Sequence, residues 1–271
     1  MTQSRNSQVV PVGRPLTARS VVASTLLGVD PPRLPTRLLV RSGELFGISQ
    51  GTTRVALSRM VAAGELVAVG DGHELAGRLR ERQARQQASR APDTRPWAGA
   101  WAMAVVVGGR RSSDARAELR KAMVDLRMAE LREGVWLRPD NLVGQPSPAA
   151  DAIVDAQCRR FVATVEDGDA SDAEVAARLW DLAAWDARAG ELRAELDAIV
   201  GSLEAGDTTA LAPGFVLSAA VLRHLLADPL LPAELLPPGW CGDALRRDYD
   251  RYDAAFKALW RDWFRRARGP E

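Results

Sequence analysis

The chain has 271 residues, of which 46% are hydrophobic and 26% are charged, with 36 Lys and Arg against 35 Asp and Glu. This balance is typical of globular proteins and excludes fibrous or wholly disordered chains. No run of about eighteen apolar residues occurs, and residues 1–14 are polar, so we predict neither a membrane span nor a secretory signal and expect a cytoplasmic protein. Because Cys158 and Cys241 are isolated, the sequence supports neither a disulfide framework nor a structural zinc site.

Charge is distributed unevenly along the chain. Residues 1–90 contain 13 Arg and 6 acidic residues, a net charge of +7, whereas the net charge is −1 for residues 91–170 and −5 for residues 171–271. A basic segment joined to a neutral or acidic remainder indicates one module that meets a polyanion. All basic residues except Lys121 and Lys257 are Arg, so chance clustering in an Arg-rich chain is the alternative.

The basic segment has the pattern of three short helices followed by a hairpin. The helical patterns cover residues 17–29, 36–46 and 49–63, with Thr and Ser at possible N-caps and Pro or Gly at the ends. Two short strands follow at residues 66–69 and 73–75, around an Asp-Gly turn. This order predicts a winged helix-turn-helix, although such a unit can also bind protein instead of DNA.

The third helix is the candidate reading element for DNA. Its predicted buried stripe contains Thr53, Leu57, Met60 and Val61. On another face, Arg54 suits a bidentate guanine contact and Gln50 an adenine contact, whereas hydroxyl groups and the helix N-terminus suit phosphates. The second helix and the wing add further candidates. The predicted DNA-binding residues are Thr36, Arg37, Ser49, Gln50, Thr52, Thr53, Arg54, Ser58, Arg59 and His73.

The rest of the chain reads as two further domains. A charged helix at 74–88 and a polar linker at 89–96 lead into strand, helix, strand and strand patterns, which predict a ferredoxin-like α+β domain. The predicted strands are residues 101–107, 135–137 and 160–165, and the predicted helix is residues 112–128. Ser171 with Glu174 has the pattern of a capping box, the segment that follows is helical, and the helix from Asp243 has an aromatic seam. We therefore predict an α+β multidomain fold with domains at 1–90, 91–170 and 171–271.

The sequence offers little for catalysis. His73 and His224 are the two histidines, and no zinc-protease, nucleophile-elbow, dinucleotide or P-loop pattern occurs. Asp248, Asp250 and Asp253 alternate with arginines, as on a solvated, salt-bridged helix face rather than in a metal site. We therefore predict no enzymatic activity, no metal and no cofactor.

Five segments together resemble one family, the PaaX-type repressors of phenylacetic acid catabolism. They are TARSVVASTLLG, FGISQGTTRVALSRMVAAGEL, WAGAWAMAVVV, LREGVWLRPDNL and LADPLLPAELLPPGWCGDAL, and they span about residues 16 to 265. The second and the last are the most specific.

This resemblance implies a homodimeric repressor that binds palindromic promoter DNA, with residues 49–59 on the recognition helix. It also implies a central domain similar to a small CRISPR-associated nuclease subunit, and release from DNA by an effector such as phenylacetyl-coenzyme A. A nuclease is the rival interpretation, but no Asp follows the strand that ends at Val107. The effector site stays unknown, and its candidates are Trp101, Trp136, Trp180, Trp185 and Trp240 with Arg138, Arg159, Arg160 or Arg223.

Overall fold

The computed structural model describes residues 16–109, 111–144, 147–164 and 170–266. The chain divides into two compact units, one that ends at Arg80 and one that begins at Glu81. Each unit has its own hydrophobic core. Helix α4, Gly77–Arg90, contains the boundary between them.

The N-terminal unit is a winged helix-turn-helix, which confirms that part of the predicted fold. Its elements in chain order are α1 Ala18–Leu27, β1 Arg33–Pro35, α2 Thr36–Glu44, α3 Gln50–Ala62, β2 Leu66–Val69 and β3 Gly72–Leu75. Capping residues set the helix starts: Thr17 forms a capping box with Ser20 before α1. The apolar faces of the three helices close over the sheet, and their fully buried side chains include Val22, Leu26, Leu39 and Met60.

The sheet of this unit differs from the prediction in three ways. Strand β1 was not predicted, and it pairs with β3, so the strand order is β1-β3-β2. Because Glu74 is paired with Arg33 on one side and Val67 on the other, it belongs to the sheet and not to the charged helix, which begins at Gly77. The hairpin loop is Gly70-Asp71 instead of Asp-Gly, since Val69 pairs directly with Gly72 and Gly70 has a φ of +60°.

The middle part of the second unit has the predicted ferredoxin-like fold. Its sheet has the strand order β5-β6-β4-β7, all antiparallel, and two helices cover one face. The elements in chain order are β4 Trp101–Val106, α5 Ser113–Asp125, β5 Ala129–Arg132, β6 Val135–Pro139, α6 Pro148–Gln157 and β7 Cys158–Ala163. This βαββαβ order was only partly visible in the sequence, because β5 is short and irregular and α6 is rich in alanine.

The C-terminal part is helical, as predicted. Helix α7 packs on the sheet face opposite α5 and α6, where Val175 and Ala176 contact the cluster that contains Trp101 and Leu137. The aromatic seam of the last helix faces inward, and the Tyr252 hydroxyl donates to the Gly214 carbonyl at 2.6 Å. The helices are α7 Asp172–Leu179, α8 Leu182–Glu204, α9 Leu211–Leu226 and α10 Gly242–Arg266.

One segment of the described chain, Thr208–Leu226, is long and apolar enough to cross a membrane by length and composition, and 39% of that stretch is buried. Its buried residues include Leu211, Phe215, Val221 and Leu225. These side chains contribute to the core of the helical domain.

A buried polar cluster joins the middle and C-terminal parts. Nη2 of Arg246 donates to Oδ2 of Asp228 at 2.6 Å, and Nε of the same arginine donates to the Ser89 carbonyl at 3.1 Å. Nearby, Nδ2 of Asn141 donates to the Leu230 carbonyl at 3.0 Å. Buried charges are costly unless they are paired, so separating these parts would leave polar groups buried without partners. The cluster therefore fixes the end of α4, the middle sheet and the C-terminal helices to one another.

Candidate nucleic-acid interface

One face of α3 is fixed in the core of the N-terminal unit. Ser49 is the N-cap, and its Oγ accepts a hydrogen bond from the Thr52 amide at 3.2 Å. Thr53 has no exposed surface, and its Oγ1 donates to the Ser49 carbonyl at 3.2 Å. A Cβ at Gly43 would lie 2.5 Å from that Oγ1, so α2 and α3 pack in close contact there.

This packing removes Thr53 from the predicted DNA-binding set. Its side chain is enclosed by α2 and by its own helix, so it is not available to a base edge in this conformation. The burial of Thr53 agrees with the predicted buried stripe, whose other members Leu57 and Met60 are buried and Val61 is partly buried.

The opposite face of α3 is exposed. Gln50, Arg54 and Ser58 lie on it at four-residue spacing. The Gln50 amide donates from Nε2 to Oε1 of Glu44 at 2.9 Å, so it must exchange this partner before it can contact a base. Further predicted residues that the structure leaves exposed are Arg37, Ser49, Thr52 and Arg59.

The arginines of this unit differ in whether an acidic side chain already engages them. Arg19 makes a two-point ion pair with Glu65, which raises the pKa of Arg19 and lowers that of Glu65, and Arg80 pairs with Glu74 at 3.4 Å. In the part of the chain that the structure describes, no ion pair engages Arg37, Arg54 or Arg59. Their exposed guanidinium groups thus carry the uncompensated positive charge that a phosphate backbone or a guanine edge would bind.

Thr36 and His73 are brought together at the base of the wing. The Thr36 hydroxyl donates to the Asp71 carbonyl at 2.8 Å and lies 3.2 Å from Nδ1 of His73. Burial lowers the pKa of His73 below its ordinary value, which favours the neutral ring. Both side chains are half-buried, so their direct contribution is to hold the wing against the start of α2.

The structure adds Arg33 to the candidate set, a residue that sequence reasoning missed. It lies exposed on β1, and its Nη2 donates to the Val69 carbonyl at 3.2 Å, beside the wing turn. The sequence would have indicated Arg33 as a DNA-binding candidate only if β1 had been predicted as a strand of the wing sheet.

The effector candidates do not form one cluster. Trp101 and Trp136 are core residues, and Trp185 stacks on both Trp240 and His224 with centroid distances of 4.5 and 4.4 Å. Arg138 and Arg160 line the same cavity of about 350 Å³ beside the middle sheet. Burial lowers the pKa of Arg138 to about 9. Among the described residues, no group of three or more His, Cys, Asp or Glu side chains is placed to hold a metal ion.

Three family models match successive parts of the chain. They are the PaaX-like protein model over residues 17–82, the PaaX protein central Cas2-like domain over residues 94–175 and the PaaX-like protein C-terminal domain over residues 180–266. A solved structure, the uncharacterized protein Rv0674 from Mycobacterium tuberculosis, is similar at 40% sequence identity with a TM-score of 0.70. That match covers 91% of this chain and 98% of the other. A search of curated proteins found no match.

Proposed function

Because the chain belongs to the PaaX family, we propose that it is a transcriptional regulator that binds double-stranded promoter DNA through its N-terminal unit. The observation that carries the proposal is the exposed face of α3, on which Arg54 and Arg59 have no acidic partner in the described part of the chain. A helix of this kind fits the major groove, where side chains reach base edges. This unit lies within residues 1–90, the basic part of the sequence, which has a net charge of +7.

Each exposed group has a role that its chemistry suits. Arg54 reads guanine through two parallel hydrogen bonds, and Gln50 reads adenine after it releases Glu44. The α3 N-terminus, with the Ser49 and Thr52 hydroxyls, binds phosphate, and Arg37 and Arg59 add charge to the backbone contact. Arg33, at the wing, meets the backbone or the minor groove next to the recognition helix.

The proposal extends to regulation. The protein acts as a homodimeric, cytoplasmic repressor without enzymatic activity, and an acyl-coenzyme A thioester releases it from DNA. Two recognition helices read successive major grooves only when they lie about 34 Å apart, so a ligand that changes this spacing abolishes binding. The cavity beside the middle sheet supports a ligand with an apolar group, since Ala102, Met128 and Val162 offer apolar surface there. Arg160 would have to exchange its carboxylate partners Asp151 and Asp155 before it could pair with anionic oxygens of the ligand.

Fluorescence anisotropy tests the proposed function. The full-length protein is titrated onto labelled DNA from the region upstream of its own gene and onto a shuffled duplex of the same composition, with and without a panel of acyl-coenzyme A thioesters. We expect tighter binding to the upstream DNA and release by one thioester. Equal binding to both duplexes would contradict sequence recognition, and binding that no thioester disturbs would contradict the effector part alone.

A further inference from the structure

The cavity beside the middle sheet carries an inference about the ligand that it binds. Its floor is one face of the sheet, where Ala102 of β4 pairs with Arg138 of β6 and with Val162 of β7. Directly paired residues share a face, so these three side chains form one row across the sheet. Asp151, in the first turn of α6, also lines the cavity. A volume of about 350 Å³ is that of a small-molecule site.

One buried carboxylate oxygen in this cavity lacks a hydrogen-bond donor. Oδ1 of Asp151 accepts a hydrogen bond from Nη2 of Arg160 at 2.7 Å, but Oδ2 is buried and receives none from the residues that the structure describes. The Asp151 side chain is only 10% exposed. Because a buried acceptor without a partner is costly, native proteins usually supply a donor to it. A ligand with an N–H or O–H group would supply this donor.

Arg138 presents the complementary group, a buried donor with unused capacity. It is 7% exposed, and its three nitrogens donate to uncharged oxygens at 2.9 to 3.3 Å, namely the carbonyls of Pro139 and Leu126 and Oδ1 of Asn141. A guanidinium has five N–H groups, so two remain for a ligand. In the described part of the chain, no carboxylate forms an ion pair with Arg138. The cavity therefore offers a donor as well as an open acceptor.

The charges that line the cavity sum to zero. They are those of Arg138, Arg160, Asp140 and Asp151. Asp151 already pairs with Arg160, and Asp140 pairs with Arg95 at 2.5 Å. A phosphate in this cavity would have to break one of these pairs or remain partly uncompensated, which is costly for a buried charge. The group that the cavity holds is therefore neutral.

We propose that the cavity binds a secondary amide next to an apolar group, with the amide N–H donating to Oδ2 of Asp151 and the amide carbonyl accepting from Arg138. One N–H matches the one open oxygen, whereas an ammonium group would bring three donors. The inference rests on the proposed function, because the arm that joins the thioester of an acyl-coenzyme A to its phosphates contains secondary amides. The acyl group and this arm then lie in the cavity, and the phosphates lie outside. A free N-acyl amine is the other source of the same chemistry.

Two ligands that differ in one N–H group test the assignment. The first is S-phenylacetyl-N-acetylcysteamine, which has a thioester and a secondary amide, and the second has an ester oxygen in place of the amide N–H. In isothermal titration calorimetry without DNA, we expect the full-length protein to bind the amide at least about tenfold more tightly, because the ester leaves Oδ2 unpaired. Equal binding of the two ligands, or binding of neither, would overturn the proposal and assign Oδ2 to an ordered water.

Asp151→Asn and the matched control Asp155→Asn locate this preference. Each replaces a carboxylate that accepts from Arg160 at 2.7 Å, but Asp155 is 63% exposed and does not line the cavity. In Asp151→Asn the side-chain oxygen stays on Arg160 and the NH₂ group faces the ligand N–H, so we expect the amide preference to fall below about threefold. Asp155→Asn should keep it. An equal loss in both variants would assign the effect to Arg160 and refute the role of Oδ2.

A cavity-filling variant tests the site without changing a charge, and it does not depend on whether Asp151→Asn folds. Ala102→Leu places a larger side chain in the row that forms the floor. We expect both ligands to bind at least about tenfold more weakly, with an unchanged circular dichroism spectrum as evidence of folding. Undiminished binding of both ligands would place the site elsewhere and refute the proposal.

A third ligand distinguishes the two sources of the amide. N-(2-phenylethyl)acetamide has the amide and the apolar ring but no thioester. If it binds about tenfold more weakly than the thioester, the cavity is specific for the thioester arm. Equal binding identifies a free amide as the ligand, and either result upholds the amide site.

The outcomes also separate this inference from the proposed function. If the protein prefers the amide but no acyl-coenzyme A thioester releases it from DNA, the amide site remains and the effector part of the proposed function fails. If a thioester releases it from DNA although the amide and the ester bind equally, the amide site alone is refuted.

Discussion

Replacing Arg54 by alanine is expected to weaken binding to the upstream DNA by about 1 to 3 kcal/mol, roughly 5- to 150-fold, while binding to shuffled DNA changes much less. The reason is that a bidentate contact to guanine is specific to the correct base, whereas phosphate contacts are shared by all sequences. Arg54 is exposed and, within the described residues, has no ion pair, so the loss is not a consequence of unfolding. Anisotropy titrations on both duplexes measure the ratio of the two affinities.

The matched control is Arg116→Ala on α5. Arg116 is also exposed and has no ion pair in the described part of the chain, so this variant removes the same charge from a surface outside the proposed interface. We expect it to keep the wild-type preference for upstream DNA. An Arg54→Ala variant with undiminished preference, or an Arg116→Ala variant with an equal loss, would show that α3 does not read the sequence through Arg54.

Replacing Asp228 by alanine is expected to lower the free energy of unfolding of the second unit by about 3 to 5 kcal/mol. The side chains of Asp228 and Arg246 are only 2% and 9% exposed, so the variant would leave a guanidinium buried without its carboxylate. It would also remove the acceptor of the Leu230 amide, which now donates to Oδ1 of Asp228 at 2.8 Å. Urea denaturation followed by tryptophan fluorescence measures the change.

The matched control is a substitution of Asp243, the second acidic neighbour of Arg246, which lies in a different environment. Asp243 lies 3.6 Å from Nη1 of Arg246, but its side chain is 87% exposed. Solvent screens such a pair, so Asp243→Ala should change the unfolding free energy by less than about 1 kcal/mol. Equal effects of the two substitutions would contradict the role of burial in this cluster.

Local signals were sufficient for much of the fold. Caps at Thr17, Ser49 and Ser171 and the apolar spacing of the helices after them predicted elements that the structure confirms. Strands β1 and β5, in contrast, have three and four residues, too few for a period-2 pattern, whereas β2 and β3, with four residues each, were predicted from the turn between them. Their existence depends on partners that are distant in the sequence, as when Arg33 pairs with Glu74.

In the candidate interface, too, local features were predictable from the sequence and features that depend on distant residues were not. The four-residue spacing of Gln50, Arg54 and Ser58 predicted an exposed face, because the helix period alone determines which side chains share a face. The sequence could not show which arginines are already engaged, since Arg19 and its partner Glu65 are 46 residues apart. It also placed Thr53 in both the buried stripe and the DNA-binding set, and only the contact with α2 decides between the two.

The salt dependence of DNA binding tests the central claim most directly. If the exposed arginines of the N-terminal unit neutralise phosphates, each contact releases counterions, and the affinity falls steeply with ionic strength. For about six to ten phosphate contacts, we expect binding to the upstream duplex to weaken by roughly 10³- to 10⁵-fold between about 50 and 200 mM salt. An affinity that is nearly constant over this range would contradict the account and would favour a winged helix that binds protein.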